Sequence, residues 1–572
     1  MKKKWVIKEQ GNPELVRSLS AELNISPVLS NLLVQRGYDT FDKAKDFFRP
    51  SLSKLHDPFL MKDMDLAVNR IRQAIAGKEK ILVYGDYDVD GTTAVALMYT
   101  YLKSQYSQVD FYIPDRYKEG YGISTQGIDF AADNRFGLII ALDCGIKSVD
   151  KVRYATSKGI DFIICDHHRP GAEIPEAAAV LDPKRVDCHY PYKELSGCGV
   201  GFKLAQALQL SEGRDPAELE QYLDLVAISV AADIVPITGE NRVLTYFGMR
   251  MINSRPRPGI KAILELSGKK GELTVSDVVF TIAPRINAAG RIESGNQAVE
   301  LLVSESMTDA MKHGEAINEK NITRKGLNES ITREAMELIG RDPDFGQRKS
   351  TVLYNPEWHK GVIGIVASKL TDEYYRPTII LTKSNNVLSG SARSVKDFDV
   401  YNAIESCSEY LEQFGGHMYA AGLTLREENM EAFRHKFEEV VSSTIEDRML
   451  IREVEIDDVI SLGDIDRKFY NVLKQFEPFG PGNMSPVFMS ENVYDRGGVR
   501  IVGNNHLKLS LVQKSDNRLV VDSIAFQLGK HFNHINSGKS FHVCYHIEEN
   551  NFNGRSSLQL NVKDIEPDGN GI

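Results

Sequence analysis

The sequence predicts an α/β protein of several domains, and three patterns in its 572 residues support this fold class. Between about 71 and 303, short apolar runs alternate with amphipathic segments, as they do in a parallel sheet covered by helices. A polar stretch without proline over 304–340 indicates a long helix that links two domains. Successive apolar runs separated by Gly and Asn turns over 447–572 are typical of a small β-barrel.

Five segments follow from these patterns. Residues 1–70 are expected to form a leader of short helices that packs on the next domain, because leucines recur there at helical spacing. The large α/β domain is predicted over 71–303 and the linking helix over 304–345. A second alternation of helices and strands predicts a smaller α/β domain over 346–446, and the barrel occupies 447–572.

Composition limits the class of protein. The formal charge of -10 argues against a nucleic-acid partner, because phosphate binding depends on Lys and Arg. That argument is weak, since carboxylates that hold metals raise the acidic count and a basic groove can lie on an acidic protein. The six cysteines form no C-x-x-C pair, so neither a zinc ribbon nor a dithiol redox motif is indicated, and a reducing cytoplasm is expected.

Three predicted strands lead directly into acidic or histidine side chains. The strands at 81–84, 138–142 and 162–165 are followed respectively by Asp86, Asp88 and Asp90, by Asp143, and by Asp166, His167 and His168. Open α/β sheets place their ligands at the carboxyl ends of the strands. Carboxylates that converge there repel one another unless cations neutralise them. The sequence therefore predicts a metal site.

Oxygen ligands with imidazoles and no thiolate favour Mn²⁺ or Mg²⁺ over Zn²⁺. Two such ions would suit the hydrolysis of a phosphoester, because together they activate a water and neutralise charge on the phosphoryl oxygens. By contrast, a lone Asp-x-Asp after a strand is more often a turn or the N-cap of a helix. The metal interpretation of Asp88 and Asp90 therefore depends on the other motifs.

Four motifs, in order, resemble motifs I to IV of the DHH phosphoesterase superfamily: residues 88–91, Asp143, 166–168 and 231–233. The resemblance implies that the metal ligands are Asp88, Asp90, Asp143, His167 and Asp233, with Asp143 bridging. It implies that His168 contacts the scissile phosphate or the attacking water. Asp86 and Asp166 are then catalytic members of the same motifs.

Within the superfamily the chain is most similar to the RecJ nucleases, and the similarity covers nearly all of it. The segments at 112–122, 195–200 and 284–291 carry the resemblance in the large domain. The last of them resembles a segment beside the metal crevice, which implies that Arg285, Asn287 and Arg291 bind substrate. Two guanidinium groups there would suit bidentate contacts with phosphates.

The smaller α/β domain resembles the DHHA1-type accessory domain of the same family through 358–367, 390–394 and 415–422. The resemblance implies five substrate-binding residues: Ser391, Arg393, Gly415, Gly416 and His417. Adjacent glycines allow the backbone to approach a phosphate closely. The alternatives are a helix C-cap for the glycine pair, a solvated loop for the histidine, and structural ion pairs for the arginines of this domain and of the 284–291 segment.

The barrel resembles the family's OB-fold domain, with 479–483 at its start, and OB folds bind single strands by stacking and charge. The resemblance implies a single-stranded-DNA-specific 5′-to-3′ exonuclease that releases 5′-mononucleotides by two-metal hydrolysis in DNA repair and recombination. It implies Mn²⁺ or Mg²⁺ as cofactor and single-stranded DNA as substrate. A single-strand-binding protein and a helicase are the implied protein partners.

Two other functions share this fold. A DHH-family oligonucleotide or cyclic-dinucleotide phosphodiesterase, or a pyrophosphatase, would have the same metal site but act on small phosphoesters. A non-catalytic scaffold would bind single strands without cutting them, although such relatives have lost metal ligands that this sequence retains. Digestion of long strands separates the exonuclease from the small-phosphoester enzymes, and Mn²⁺-dependent cleavage excludes the scaffold.

Overall fold

A computed structural model of the chain describes residues 3–384, 386–514, 516–552 and 555–568. Its strands form sheets of two, five, five and seven members. The predicted fold class is confirmed, because a parallel sheet, a long linking helix, a smaller α/β domain and a barrel follow one another along the chain. The domain boundaries at 70, 303, 345 and 446 stay a prediction.

The large domain is built on a parallel five-stranded sheet. In spatial order its strands are Val109–Tyr112, Lys80–Gly85, Phe136–Leu142, Asp161–Cys165 and Ala179–Leu181. Apolar clusters cover both faces, which is why these strands appear in the sequence as continuous apolar runs. Helices pack on the sheet at Met64–Ala76, Val89–Lys103, Thr125–Asp133, Val149–Ser157 and Gly197–Ser211.

The order of these strands creates a crevice. After Lys80–Gly85 the chain adds Val109–Tyr112 on one side and then crosses to add Phe136–Leu142 on the other. Loops at the carboxyl ends of these two inner strands therefore leave in opposite directions, and ligands bind at such a switch point. A further helical layer completes the domain: Leu223–Ala232, Gly239–Ser254, Pro258–Ser267, Ala283–Ile292 and Asn296–Val303.

The linking helix runs over Met307–Gly340, and its 34 residues correspond to about 51 Å of length. Ser306 begins it by accepting a hydrogen bond from the amide of Asp309. Ala310 and Ile317 in its first half pack in the core of the large domain. Ile331 and Ala335 in its second half pack in a core of the smaller domain, so the helix joins the two.

The smaller domain contains a mixed sheet with helices at Ile363–Tyr374, Val400–Glu405 and Met430–Thr444. Its strands, in spatial order, are Gln413–His417, Ala420–Leu425, Val387–Arg393, Thr378–Ser384 and Thr351–Tyr354. The register pairs His417 with Ala420 and Ala420 with Arg393. His417 and Arg393 therefore stand at the same level on the two strands that flank Ala420–Leu425.

The C-terminal strands form a barrel. They are Asp458–Val459, Phe488–Asp495, Arg500–Val502, His506–Gln513, Asp516–Ala525, Phe541–Phe552 and Arg555–Pro567. An additional pairing of Phe488–Asp495 with His506–Gln513 closes five of them into a ring. Closure satisfies the edge hydrogen bonds of the sheet, as in OB folds.

The leader differs from the expectation that it packs on the next domain. Its helices Pro13–Leu23, Pro27–Gln35 and Phe41–Phe48 bury Leu19, Leu29 and Phe47 in the core of the barrel, whereas the segment from Leu52 to Met64 packs in the core of the large domain. A short strand, Lys4–Ile7, also pairs in parallel with Glu453–Ile456. Helical spacing predicts which face is buried but not which domain covers it.

Within the described ranges, no helix is both long enough and apolar enough to cross a membrane. All six cysteines are buried and free of disulfide bonds.

Candidate metal centre

The loop after Lys80–Gly85 carries three carboxylates to the switch point. Asp86 is fully buried, and among the described residues neither of its carboxylate oxygens makes a hydrogen bond of acceptable geometry. Asp88 caps the helix Val89–Lys103, since its Oδ1 accepts a hydrogen bond of 3.0 Å from the amide of Gly91. The alternative role of Asp88 as an N-cap therefore uses one carboxylate oxygen and leaves the other able to bind a metal.

Asp90 is held by a second helix. Its Oδ2 accepts from the amide of Gly197, and its Oδ1 accepts from the amide of Cys198 and the hydroxyl of Ser229, each at 2.7 Å. The two amides are the first of the helix Gly197–Ser211, whose N-terminus favours negative charge. Asp90 is thus fixed in position by three hydrogen-bond donors.

His167 lies at the centre of the cluster. Its Nε2 is 3.2 Å from Asp143 Oδ1, 3.5 Å from Asp233 Oδ2 and 3.6 Å from Asp90 Oδ2. Neither ring nitrogen makes a hydrogen bond of acceptable geometry, and the same is true of Asp143 Oδ1. Asp143 has a φ of 59°, and Ile234, which follows Asp233, has a φ of 61°. Such strained backbone is typical of functional sites.

Asp166 and His168 form a pair beside this cluster. His168 Nδ1 donates to Asp166 Oδ1 at 2.7 Å, and the amides of His167 and Ile146 donate to the same carboxylate. Burial raises the pKa of Asp166, but the hydrogen bond and the charge of His168 outweigh it and hold the pKa below its usual range. Burial lowers the pKa of His168, and Asp166 more than compensates, so the pKa rises to about 9. His168 therefore carries a proton at neutral pH and is oriented by Asp166.

The carboxylates of the cluster resist ionisation without a cation. Burial, and next the charge of Asp88, raises the pKa of Asp86; burial and Asp90 raise that of Asp143. The same two causes raise the pKa of Asp233 to about 8. There are two groups of possible ligand atoms, and within each group all atoms lie within 4.8 Å of one another. The groups are Asp143, His167 and His168, and Asp90, His167 and Asp233. Unpartnered oxygen and nitrogen atoms without thiolate ligands fit Mn²⁺ or Mg²⁺.

The raised pKa values predict how stability depends on pH. A carboxyl group whose pKa is raised on folding favours the folded state only while it is protonated. The metal-free chain is therefore expected to lose stability as the pH rises from 3.8, the ordinary value for Asp233, to about 8. Mn²⁺ requires the ionised carboxylates, so the increase in melting temperature that it causes should grow over this interval. Thermal unfolding with and without Mn²⁺ measures it, and an increase that is equal at both ends would contradict the prediction.

Two predicted substrate residues, Arg291 and Arg393, lie between the large and the smaller domain. Arg291 Nη1 donates to the carbonyl of Gly361 at 3.1 Å, and Arg393 donates to the hydroxyls of Ser391 and Ser368, both at 3.1 Å. Among the described residues, no carboxylate forms an ion pair with either arginine, which removes the structural alternative. Burial, and then repulsion by Arg116, Arg324 and Arg393, lowers the pKa of Arg291 to about 10. This positive cluster requires an anion.

Arg285 does not join that cluster. Its guanidinium donates to the carbonyl of Thr281 at 2.7 Å and to Asn318 Oδ1 at 3.1 Å on the linking helix. Thr281 belongs to the π-helical turn Val278–Ile282 that precedes this segment. Asn287 is half-buried and stands one turn before Arg291, on the same helical face.

The glycine pair lies in a β-hairpin and not at the end of a helix, which excludes the C-cap alternative. Gly416 has a φ of 149°, and a Cβ there would lie 2.4 Å from the carbonyl oxygen of Ala420, whereas Gly415 faces open space. Burial lowers the pKa of His417, and the nearby charges of Lys147 and His168 lower it further. The hairpin therefore lies close enough to the metal cluster for the charge of His168 to act on His417.

Sequence reasoning assigned no role to Arg116 or Tyr121, although both belong to the 112–122 segment. The guanidinium of Arg116 lies 5.0 Å from the ring centroid of Tyr87. Tyr121 is 58% exposed, with its hydroxyl 3.3 Å from His168 Nε2. An exposed aromatic ring beside a metal cluster offers a surface on which a base can stack. The Gly-Tyr-Gly sequence around Tyr121 was the feature from which its role could have been predicted.

Family comparisons match three parts of the chain. Residues 80–230 match the DHH family, N-terminal domain; residues 348–443 match the DHHA1 domain; and residues 456–564 match the RecJ OB domain. The three matches coincide with the parallel sheet, the mixed sheet and the barrel.

Similar proteins extend over nearly the whole chain. The single-stranded-DNA-specific exonuclease RecJ of Bacillus subtilis is 38% identical over 98% of this chain and 71% of its own length. The protein of the same name from Escherichia coli is 32% identical over 96% of this chain and 97% of its own length. A crystal structure of RecJ from Thermus thermophilus in complex with Mn²⁺ has a TM-score of 0.84 at 27% identity, covering 98% of this chain and 79% of that one. The same protein in complex with Mg²⁺ has a TM-score of 0.78.

Proposed function

This chain belongs to the RecJ family of single-stranded-DNA-specific exonucleases, and we propose that it hydrolyses single-stranded DNA from the 5′ end and releases 5′-mononucleotides. It is a metal-dependent nuclease with Mn²⁺ or Mg²⁺ as cofactor. One observation carries the proposal: metal-binding atoms without a partner among the described residues lie at the switch point of the sheet, and Arg291 and Arg393, which form no ion pair there, lie where the smaller domain meets the large one.

Five residues would hold two ions in our proposal: Asp88, Asp90, Asp143, His167 and Asp233. When bound, the ions supply Lewis acidity, which generates a nucleophile from water at neutral pH and neutralises charge on the phosphate. Asp143 would be one of these ligands, because it lies closest to His167, the residue that both ligand groups contain. Asp86, whose two oxygens have no partner, is available to the same centre.

Other residues of the chain bind and orient the strand. His168, protonated and held by Asp166, donates from Nε2 to the scissile phosphate. Arg291, Ser391 and Arg393 bind phosphates, with Asn287 one helical turn before Arg291 and with Gly415, Gly416 and His417 on the hairpin that pairs with the strand of Ser391 and Arg393. We assign Arg285 to positioning, because its Nε and Nη1 donate to Asn318 and Thr281 and so hold the guanidinium against the linking helix. Tyr121 stacks on a base next to the cleavage point.

Digestion of blocked strands tests the polarity. A single strand blocked at its 3′ end is expected to be degraded, whereas one blocked at its 5′ end and a blunt duplex are expected to survive. The assay compares Mn²⁺, Mg²⁺ and a chelator, with a dinucleotide as a second substrate. Degradation from the 3′ end would contradict the polarity. Turnover of the dinucleotide alone would favour a small-phosphoester enzyme, and binding without cleavage would favour a scaffold.

Substitution of Arg393 tests the strand path. Arg393→Gln removes a charge but retains hydrogen-bonding groups, so affinity for single strands should fall about tenfold, and the slope of log K against log salt should decrease by about one. Arg153→Gln is the matched control, because Arg153 is 71% exposed and pairs with Asp150 on a surface helix. Binding is measured by fluorescence anisotropy with Ca²⁺ in place of Mn²⁺. An equal loss in both variants would contradict the assignment.

A role in DNA repair and recombination, with a single-strand-binding protein and a helicase as partners, is part of the proposal and depends on family membership. A cytoplasmic location is supported by the six free, buried cysteines, since disulfides persist in oxidising compartments.

A further inference from the structure

The segment that follows Asp233 contacts the start of the barrel. Four residues after Asp233, the amide of Ile237 donates to the carbonyl of Pro481 at 2.7 Å. Pro481 lies in a loop that we call the neck loop, residues 475–483, between the helix Arg467–Lys474 and the first long strand of the barrel. Only three residues therefore separate a predicted metal ligand from a backbone hydrogen bond to another domain.

Close packing between the neck loop and the segment 236–238 requires glycine at positions 480 and 482. A Cβ at Gly480 would lie 2.4 Å from Cδ1 of the buried Ile237, and one at Gly482 would lie 2.9 Å from the methyl group of Thr238. Asn483 folds the neck loop on itself, because its side-chain amide donates to the carbonyls of Phe476 and Pro478 at 2.8 and 2.9 Å. The neck loop is thus a preformed surface fitted against the segment 236–238.

Arg242 fixes the neck loop to the large domain. Only 3% of its surface is exposed, and its guanidinium donates to the carbonyls of Phe476 at 2.9 Å, Gln475 at 3.3 Å and Phe47 at 3.1 Å. It also stacks 3.8 Å from the ring centroid of Phe47. Within the described ranges no carboxylate pairs with it, so carbonyl oxygens from the leader and the barrel satisfy a buried charge. A contact of this kind holds three domains in one arrangement.

The large domain holds the same segment from its other side. The carbonyl of Pro236 accepts from the hydroxyl of Tyr192 at 3.1 Å and from the side-chain amide of Asn241 at 3.0 Å. Ile234, between this point and Asp233, has the strained φ of 61°. Groups that orient a metal ligand without touching the metal commonly change metal affinity by about 10- to 100-fold.

We propose that the neck loop positions Asp233, so that the docking of the barrel on the large domain sets the geometry of the metal centre. Gly480, Pro481 and Arg242 are positioning residues in this assignment, since they act through the backbone of 234–238. The inference rests on the metal centre of the proposed function and adds a coupling between that centre and the domain that binds the strand.

Mn²⁺ binding without DNA tests the coupling. In Gly480→Ala the new methyl group displaces Ile237, so Mn²⁺ affinity, measured by electron paramagnetic resonance titration, should fall about tenfold. Gly498→Ala is the matched control, because Gly498 belongs to the same domain and no atom lies within 4 Å of the position that its Cβ would take. Its affinity should equal that of the native chain. The double variant Gly480→Ala with Ile237→Val removes the Cδ1 atom at 2.4 Å but keeps a carbon at the Cγ1 position, 2.9 Å away, so it should recover part of the loss.

Arg242→Lys gives a second route to the same answer. Lysine keeps the charge but lacks the fork that reaches the leader and the neck loop together, so the same loss of Mn²⁺ affinity is expected. If Gly480→Ala does not fold, Arg242→Lys decides the question. Native Mn²⁺ affinity in a folded variant, even with a lower melting temperature, would overturn the inference. Because these titrations contain no DNA, a native chain that binds Mn²⁺ but leaves single strands intact would overturn the proposed function alone.

Discussion

Replacing Asp143 with Asn is expected to abolish Mn²⁺-dependent cleavage of single-stranded DNA while the fold is retained. Asn has nearly the same shape but no charge, and Asp143 lies 3.2 Å from the His167 nitrogen at the centre of both ligand groups. Loss of a proposed metal ligand should reduce kcat by on the order of 10³-fold or more, comparable to the loss of a principal electrostatic group in other enzymes. Single-turnover cleavage of a labelled strand measures it.

The stability of Asp143→Asn provides an independent check. Burial and the charge of Asp90 raise the pKa of Asp143, so the ionised carboxylate opposes folding when no metal is present. The metal-free variant should therefore melt at the same temperature as the native chain or higher, and Mn²⁺ should raise its melting temperature less. Asp133→Asn, at an exposed position of the same domain, is the control. Activity within about tenfold of the control would sink the assignment of Asp143.

Gly91→Ala is expected to be almost as damaging, although Gly91 has no side chain with which to bind a metal or a strand. A Cβ there would lie 2.4 Å from the carbonyl oxygen and 2.7 Å from the amide nitrogen of Asp86. Both atoms are backbone, so the loop that carries Asp86 and Asp88 must move. A displacement of about 1 Å at a catalytic group can cost about 10²-fold in rate, and overpacking costs about 1–3 kcal/mol of stability.

A substitution at a second glycine shows whether a loss of activity comes from the displaced loop or from the added methyl group as such. Gly326 lies within the linking helix, and no atom lies within 4 Å of the position that its Cβ would take. Gly326→Ala should stabilise the chain by about 0.5–1 kcal/mol and leave the rate unchanged. Cleavage rates and urea unfolding of both variants give the comparison. Native activity in Gly91→Ala would mean that the loop tolerates the shift.

Much of the metal centre could be predicted from local pattern. Apolar runs that end in carboxylates located Asp86, Asp88, Asp90, Asp143 and the residues around His167, because parallel strands deliver their carboxyl ends to one edge of a sheet. Asp233 is different, since it caps the helix Leu223–Ala232 and reaches the cluster only through tertiary packing. No local pattern marks such a residue, and family resemblance alone supplied it.

Residues whose role depends on contacts between domains were beyond local reasoning. The segment 284–291 contains two arginines that no local sequence rule distinguishes. Arg291 contacts Gly361 of the smaller domain, whereas Arg285 contacts the linking helix. Tyr121 lies in a loop without periodicity, so neither helix nor strand rules predict its exposure. The leader presents a helical apolar face whose partner, the barrel, lies far along the chain.

The core that the leader shares with the barrel has a consequence for how the chain is made. Lys8 and Asp457, which form an ion pair at this junction, are separated by 449 residues, and closing a loop of that length costs about 5 kcal/mol of chain entropy. During synthesis the large domain can fold as soon as its own residues have emerged. The leader helices, with Leu19, Leu29 and Phe47 uncovered, remain prone to non-specific contacts until the strands near Phe541 have left the ribosome. A translation pause after the leader has been made and before the strands near Phe541 are made would prolong the interval in which new chains aggregate most readily.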